Sequence, residues 1–141
     1  MRPPPRFQLL LAEDNLPDTL LIREAVQMEN LPLEMHTVRD GQGAIDFIAR
    51  AEQDETAPGV DLVLLDLNLP KRHGFEVLKR LRESPKFGTV PVLIVTSSDA
   101  PSDHEQAAQF GASYFRKPPS YEEFLKLSGA VKKLMEQNGM M

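Results

Sequence analysis

The chain has no cysteine. Disulfides, thiolate metal sites and thiol nucleophiles are therefore excluded. It also lacks any apolar run near the roughly 20 residues that a membrane helix needs. The opening "MRPPPRFQ" carries two arginines and three prolines but no apolar h-region, so no signal peptide is expected and the expected location is cytoplasmic. A basic excess is missing as well: 16 Lys and Arg stand against 21 Asp and Glu, for a net charge of -5. That argues against a general nucleic-acid binder. There is no internal repeat, and the Pro-rich start is the only biased segment.

What is present reads as one soluble domain. The length of 141 residues suits a single core, and 41% hydrophobic with 26% charged residues is ordinary for a globular chain. Residues 1–6 read as a Pro-rich tail, 7–136 as the domain and 137–141 as a short C-terminal tail.

Strand-like and helix-like segments alternate along it. "FQLLLAE" (7–13) is an apolar strand. The segment 16–30 is helical, with Pro17 in its first turn and Leu21, Ala25 and Met28 on one face. "LEMHTV" (33–38) is a second strand, followed by a helix striped by Ala44, Phe47, Ile48 and Ala51. "VDLVLLDLNLP" (60–70) holds a third strand buried on both faces. The helix 74–84 turns Val77, Leu78 and Leu81 inward, and "TVPVLIVTSS" (89–98) is a fourth strand. A short helix over 101–111 stops at Gly111, and "ASYFR" (112–116) is the fifth strand. Ser120 and Glu123 make a capping-box pattern for one last helix, with Phe124, Leu127, Val131 and Leu134 on one side.

Five such β–α pairs imply an α/β fold with a parallel sheet covered on both faces. Ligand and reaction sites of open sheets lie outside the carboxyl ends of the strands. Strand one ends in Glu13 and Asp14, strand three in Asp66, strand four in Thr96, and strand five just before Lys117. Alone, each has a plain reading: a turn former, a helix start, a β-branched strand end, a surface lysine. Together they place three carboxylates, a hydroxyl and an ammonium on one rim.

Crowded carboxylates repel one another, so a cation is expected among them. Oxygen donors without His or Cys favour a hard ion, and Mg²⁺ fits. Lys117 and Thr96 suit phosphoryl oxygens. The set is equipment for phosphoryl transfer to a carboxylate, with Asp66 as acceptor and Glu13 and Asp14 as metal ligands.

At these residues the sequence resembles the response-regulator receiver domain of two-component signalling. The motifs are "AEDN", "LLDLNLP" with a following Gly74, "VTSS" and "RKPP". The resemblance implies a flavodoxin-like (βα)5 fold, doubly wound, with a five-stranded parallel sheet in order 2-1-3-4-5. It implies Asp66 as the phosphorylated residue, and Mg²⁺ held by Glu13, Asp14, Asp66 and the Asn68 backbone carbonyl. Thr96 and Lys117 would bind the phosphoryl group, beside the small residue Ser97. Tyr114 would be the aromatic switch that turns inward with Thr96. A cis Lys117–Pro118 bond is implied too. The departures are "KRHG" after Asp66, where many members carry an acid before the glycine, with Arg116 and Pro119 flanking Lys117 and Pro118.

"EDNLPDTLLIREAV", "VRDGQGAIDFI" and "LDLNLPK" also resemble small stand-alone regulators associated with phytochromes. Such relatives dimerise through the fourth helix, fifth strand and fifth helix. Phe110, Tyr114, Phe115 and Tyr121 are available there for a homodimer or for the core. The end at "MEQNGMM" leads us to expect no output domain. The expectation is a phosphorylation-switched binding module serving a phytochrome-like sensor histidine kinase, with no enzymatic turnover beyond slow self-dephosphorylation. A phosphorelay intermediate feeding a histidine phosphotransfer protein and a phosphorylation-independent scaffold are the alternatives. A phosphatase or phosphotransferase would want an acid where Asn68 stands. His36, His73 and His104 share no common setting, so structural or surface roles are expected for each.

Overall fold

The computed structural model describes residues 6–140. Most of the expected N-terminal tail lies outside the described residues. Strands β1 (Phe7–Ala12), β2 (Leu33–Val38), β3 (Leu62–Leu65), β4 (Val92–Thr96) and β5 (Ser113–Arg116) form one parallel sheet in the order β2-β1-β3-β4-β5. Helices α1 (Leu16–Met28), α2 (Gly41–Gln53), α3 (Gly74–Arg82) and α4 (Pro101–Gln109) alternate with the strands, and α5 (Tyr121–Phe124) and α6 (Leu127–Gln137) follow β5. This is the flavodoxin-like order that the resemblance implies.

Strand alternation divides the core into two layers. Leu9, Leu11, Leu62, Leu64, Leu93 and Val95 point to one face and pack with Ile22 and Ala25 of α1 and Leu127 and Val131 of α6. Leu10, Ala12, Val63, Leu65, Val92 and Ile94 point to the other, against Ala44 and Ile48 of α2 and Leu78 and Leu81 of α3. A sheet buried on both faces needs apolar residues at nearly every position, which is why β3 reads "LVLL".

Several expectations change in detail. The buried stripe of α1 is Ile22, Ala25 and Val26, while Met28 is 60% exposed. The helix ends there, and its last turn extends past the layer beneath. The single last helix is two: Ser120 accepts from the Glu123 N–H (3.3 Å) and caps α5, which stops at Phe124 before α6 begins at Leu127. Phe124 and Leu127 still reach the same core. Phe110, Tyr114 and Phe115 are partly buried against the core, and of the four aromatics proposed for an interface Tyr121 is the exposed one, at 50%. The Lys117–Pro118 bond is trans, as is every peptide bond among the described residues. Trans is the lower-energy form of an X–Pro bond by about 0.5–1 kcal/mol, and Lys117 reaches its partners with it.

The register sets the rim. Ala12 pairs with Leu65, so Glu13 and Asp66 leave the sheet side by side, and the Asp66 N–H donates to the Ala12 carbonyl (3.0 Å). Thr96 pairs with Arg116, and the Lys117 N–H donates to the Thr96 carbonyl (2.7 Å).

Candidate functional site

The rim at the carboxyl ends of β1, β3 and β5 brings four of the expected residues together. Oxygens of Glu13, Asp14 and Asp66 lie within 4.8 Å of one another. Lys117 Nζ donates to Asp66 Oδ2 at 3.1 Å and lies 2.6 Å from Glu13 Oε1. Glu13 and Asp66 are buried, at 1% and 7% exposure, whereas Asp14 faces solvent. That gradient suits an ion entering from solvent onto two fixed ligands.

Lys117 also donates to Asp18 Oδ2 at 2.8 Å. The sequence reading missed Asp18. An acid in the first helical turn looks like ordinary dipole compensation, and its N–H is indeed capped by Asn15 Oδ1 (3.0 Å). Its link to Lys117 spans 99 residues and depends on how α1 lies against the β5 end. The legible signal was the "DNLPD" run itself, a second acid one helical turn after Asp14.

Three carboxylates thus contact one ammonium, with Asp14 beside two of them. Burial pushes the Glu13 carboxyl up to about 7; the Lys117 contact opposes this, and the Asp66 charge adds to the rise. Burial also works against the Lys117 ammonium, but Asp18, then Glu13 and Asp66, outweigh it and hold Lys117 above its ordinary value. The lysine stays charged while the acids remain under-neutralised. Glu13 Oε1 is buried, and its close contact is the 2.6 Å ion pair with Lys117. That ammonium is shared with Asp18 and Asp66, so the buried acids outnumber their counter-charge, which is costly unless a further cation pairs them. A hard cation shared by Glu13, Asp14 and Asp66 fits that need, and the all-oxygen donor set is the kind Mg²⁺ or Mn²⁺ takes.

Asn68 follows on an exposed turn, its N–H 3.4 Å from Asp66 Oδ1. Thr96 is fully buried, and its Oγ1 accepts from the Ser98 N–H at 3.4 Å, next to the exposed Ser97. Tyr114 is half-buried; its hydroxyl donates to the Ser98 carbonyl (2.8 Å) and its ring stacks on His104 at 3.8 Å. Thr96 and Tyr114 therefore hold the same β4–α4 loop from two sides.

The departing residues have local partners. His73 caps α3, its Nδ1 accepting from the Phe75 N–H (3.1 Å). Arg72 reaches Gln42 Oε1 (3.2 Å), and Arg116 lies 3.6 Å from Asp99. The histidines are dispersed as expected: His36 bonds Gln8 (2.6 Å), His73 caps a helix, and His104 stacks on Tyr114. No described helix is long and apolar enough to cross a membrane.

Comparison with known proteins agrees with this geometry. The family model of the response regulator receiver domain matches residues 9–127. The response regulator Rcp1 of Synechocystis sp. (strain ATCC 27184 / PCC 6803 / Kazusa) is 36% identical over 100 residues, covering 71% of this chain and 67% of Rcp1. The structure of the phosphorylated cyanobacterial phytochrome response regulator RcpA superposes with a TM-score of 0.81 at 30% identity, covering 91% of this chain and 92% of RcpA. The Mn²⁺-bound form of Rcp1 does so with a TM-score of 0.81 at 29% identity, over 90% and 92% of the two chains. Over residues 9–127, from β1 through α5, the match is to one family, and this chain belongs to the response regulator receiver domain family.

Proposed function

We propose that this receiver domain takes a phosphoryl group onto Asp66 from a phosphohistidine of a sensor histidine kinase, and that the kinase is phytochrome-like. The observation that carries the reading is the meeting of Glu13, Asp14, Asp66 and Lys117 at one strand-end rim. The likeness to phytochrome response regulators supports the choice of kinase.

In the transfer, an Asp66 carboxylate oxygen attacks phosphorus. The P–O bond forms as the P–N bond breaks, and its electron pair returns to the donor imidazole. Glu13, Asp14, Asp66 and the Asn68 carbonyl would hold Mg²⁺, which when bound neutralises charge on the acids and the phosphoryl oxygens. Lys117 presents a fixed positive charge to a phosphoryl oxygen, and the Thr96 hydroxyl donates to another. As Thr96 moves toward the phosphoryl group, its hold on Ser98 is released and Tyr114 responds from the far side of the loop. The surface around Tyr114 thereby changes, and partner binding follows. The cycle ends when water hydrolyses the acyl phosphate. The chain acts as a signalling switch rather than as an enzyme on a separate substrate.

The test is transfer from a labelled, autophosphorylated phytochrome-type kinase. Label should move to the wild-type chain within minutes and not to Asp66→Asn. Prompt transfer from an unrelated histidine kinase, with none from the phytochrome type, would overturn the choice of partner.

A further inference from the structure

Lys117 is held by three acids, and two of them have another task. Glu13 and Asp66 belong to the cluster that can hold a cation, whereas Asp18 stands outside it. Asp18 Oδ2 nonetheless accepts a hydrogen bond from Nζ at 2.8 Å, between the 2.6 Å ion pair with Glu13 and the 3.1 Å bond to Asp66. Both side chains are largely removed from water, at 23% and 11% exposure. Pro17 and the Asn15 cap fix the first turn of α1, so Asp18 sits on a rigid support.

We infer that Asp18 is a positioning residue for phosphoryl transfer: it draws the Lys117 ammonium to the α1 side of the pocket and limits its claim on the metal-binding oxygens. The inference rests on the reading that Asp66 accepts a phosphoryl group. An ammonium has three protons to offer. With Asp18 neutral, Nζ leans on Glu13 and Asp66 alone. Those are the oxygens that must bind the cation and attack phosphorus. With Asp18 charged, Lys117 keeps one anchor that neither event consumes, and its charge stays aimed at the incoming phosphoryl group.

The substitution Asp18→Asn preserves side-chain shape, and the cap bond uses the backbone N–H, so helix α1 is retained. The experiment follows mass gain from a small phosphodonor at saturating Mg²⁺ in five chains: wild type, Asp18→Asn, Asp18→Glu, Lys117→Met as reference, and the double variant Asp18→Asn with Lys117→Met. A charge-assisted bond of this kind makes the expected loss in maximal rate about tenfold for Asp18→Asn. Asp18→Glu, which keeps the charge, should recover most of the rate. In the Lys117→Met background the Asp18 change should have no further effect. A wild-type rate in Asp18→Asn, or the same loss with Lys117 already removed, would overturn the inference. The Lys117 ammonium resonance gives a second readout that needs no phosphorylation. It should shift in Asp18→Asn and persist in Asp18→Glu; an unmoved resonance rejects the positioning role. A wild type that takes no phosphoryl group, with that resonance still responding to Asp18, would fault the acceptor reading and leave the anchoring of Lys117 intact.

Discussion

Gly74 packs directly on the backbone of Asp66. A Cβ at Gly74 would lie 2.4 Å from the Asp66 carbonyl oxygen and 2.7 Å from Leu67 Cα, while the Gly74 N–H donates to the Leu67 carbonyl (2.7 Å). The glycine is needed for close approach, and it fixes the loop that carries the acceptor. Gly74→Ala must push that loop away. The expected cost is about 3 kcal/mol of stability, as for overpacking against unyielding backbone, together with slower phosphoryl gain. Urea unfolding checks it; an unchanged midpoint would contradict the packing argument.

Glu13→Gln removes one buried charge from the proposed ligand set while keeping its shape. Metal affinity should fall on the order of tenfold or more, since a carboxylate–cation contact is lost in a poorly screened site. Titration with Mn²⁺, followed calorimetrically or by its paramagnetic signal, reads this directly. Equal affinity in the two chains would place the ion elsewhere.

Thr96→Val retains the β-branched shape at a fully buried strand end and deletes the hydroxyl. The expected outcome is a folded chain that still gains a phosphoryl group. The Tyr114 signal should no longer change on phosphorylation, because the Thr96–Ser98–Tyr114 connection is cut. Tyrosine resonances before and after phosphorylation test it, and a wild-type response would remove Thr96 from the switch.

Glu52 joins α2 to α3. It accepts two bonds from Arg80 and one from Ser84 (2.5 Å), and the Arg80 bonds, then Ser84, hold its carboxyl below the usual carboxylate range. Below its unfolded pKa the unfolded state binds more protons at this residue than the folded state does. The contribution to stability is therefore full above that value and is lost as pH falls through the lower folded value. Glu52→Gln should lose about 0.5–1 kcal/mol near neutral pH, a modest sum because Arg80 is partly solvated. The two stability curves should converge in acid. Parallel curves across the whole acid limb would show that the ion pair contributes nothing.

The sequence disclosed the strand ends better than the contacts between distant segments. Buried parallel strands impose continuous apolar runs, so "LLLA", "LVLL" and "VLIVT" could be read one by one, and the residue after each run had to be on the rim. Glu13 and Asp66 were found that way, and Thr96 as the last residue of its run, whereas Lys117 follows the half-exposed edge strand "SYFR". Asp18 was not, because its partner lies 99 residues away and the acid in "DNLPD" reads on its own as an ordinary helix start. The break between Phe124 and Leu127 was hidden for a related reason: both residues keep an apolar period and reach the same core across it. The resemblance implied a cis bond at Pro118, where the chain is trans. Met28 continued a helical stripe past the point where the core ends.

The acceptor role of Asp66 is the centre of the account, and intact mass tests it most directly. The chain is incubated with Mg²⁺ and a small phosphodonor, alongside Asp66→Ala. The expected result is one added phosphoryl group on the wild type and none on the variant, with the gain abolished by chelating the metal. No gain on a folded wild-type chain in Mg²⁺, or an equal gain on Asp66→Ala, would contradict phosphoryl transfer to this residue.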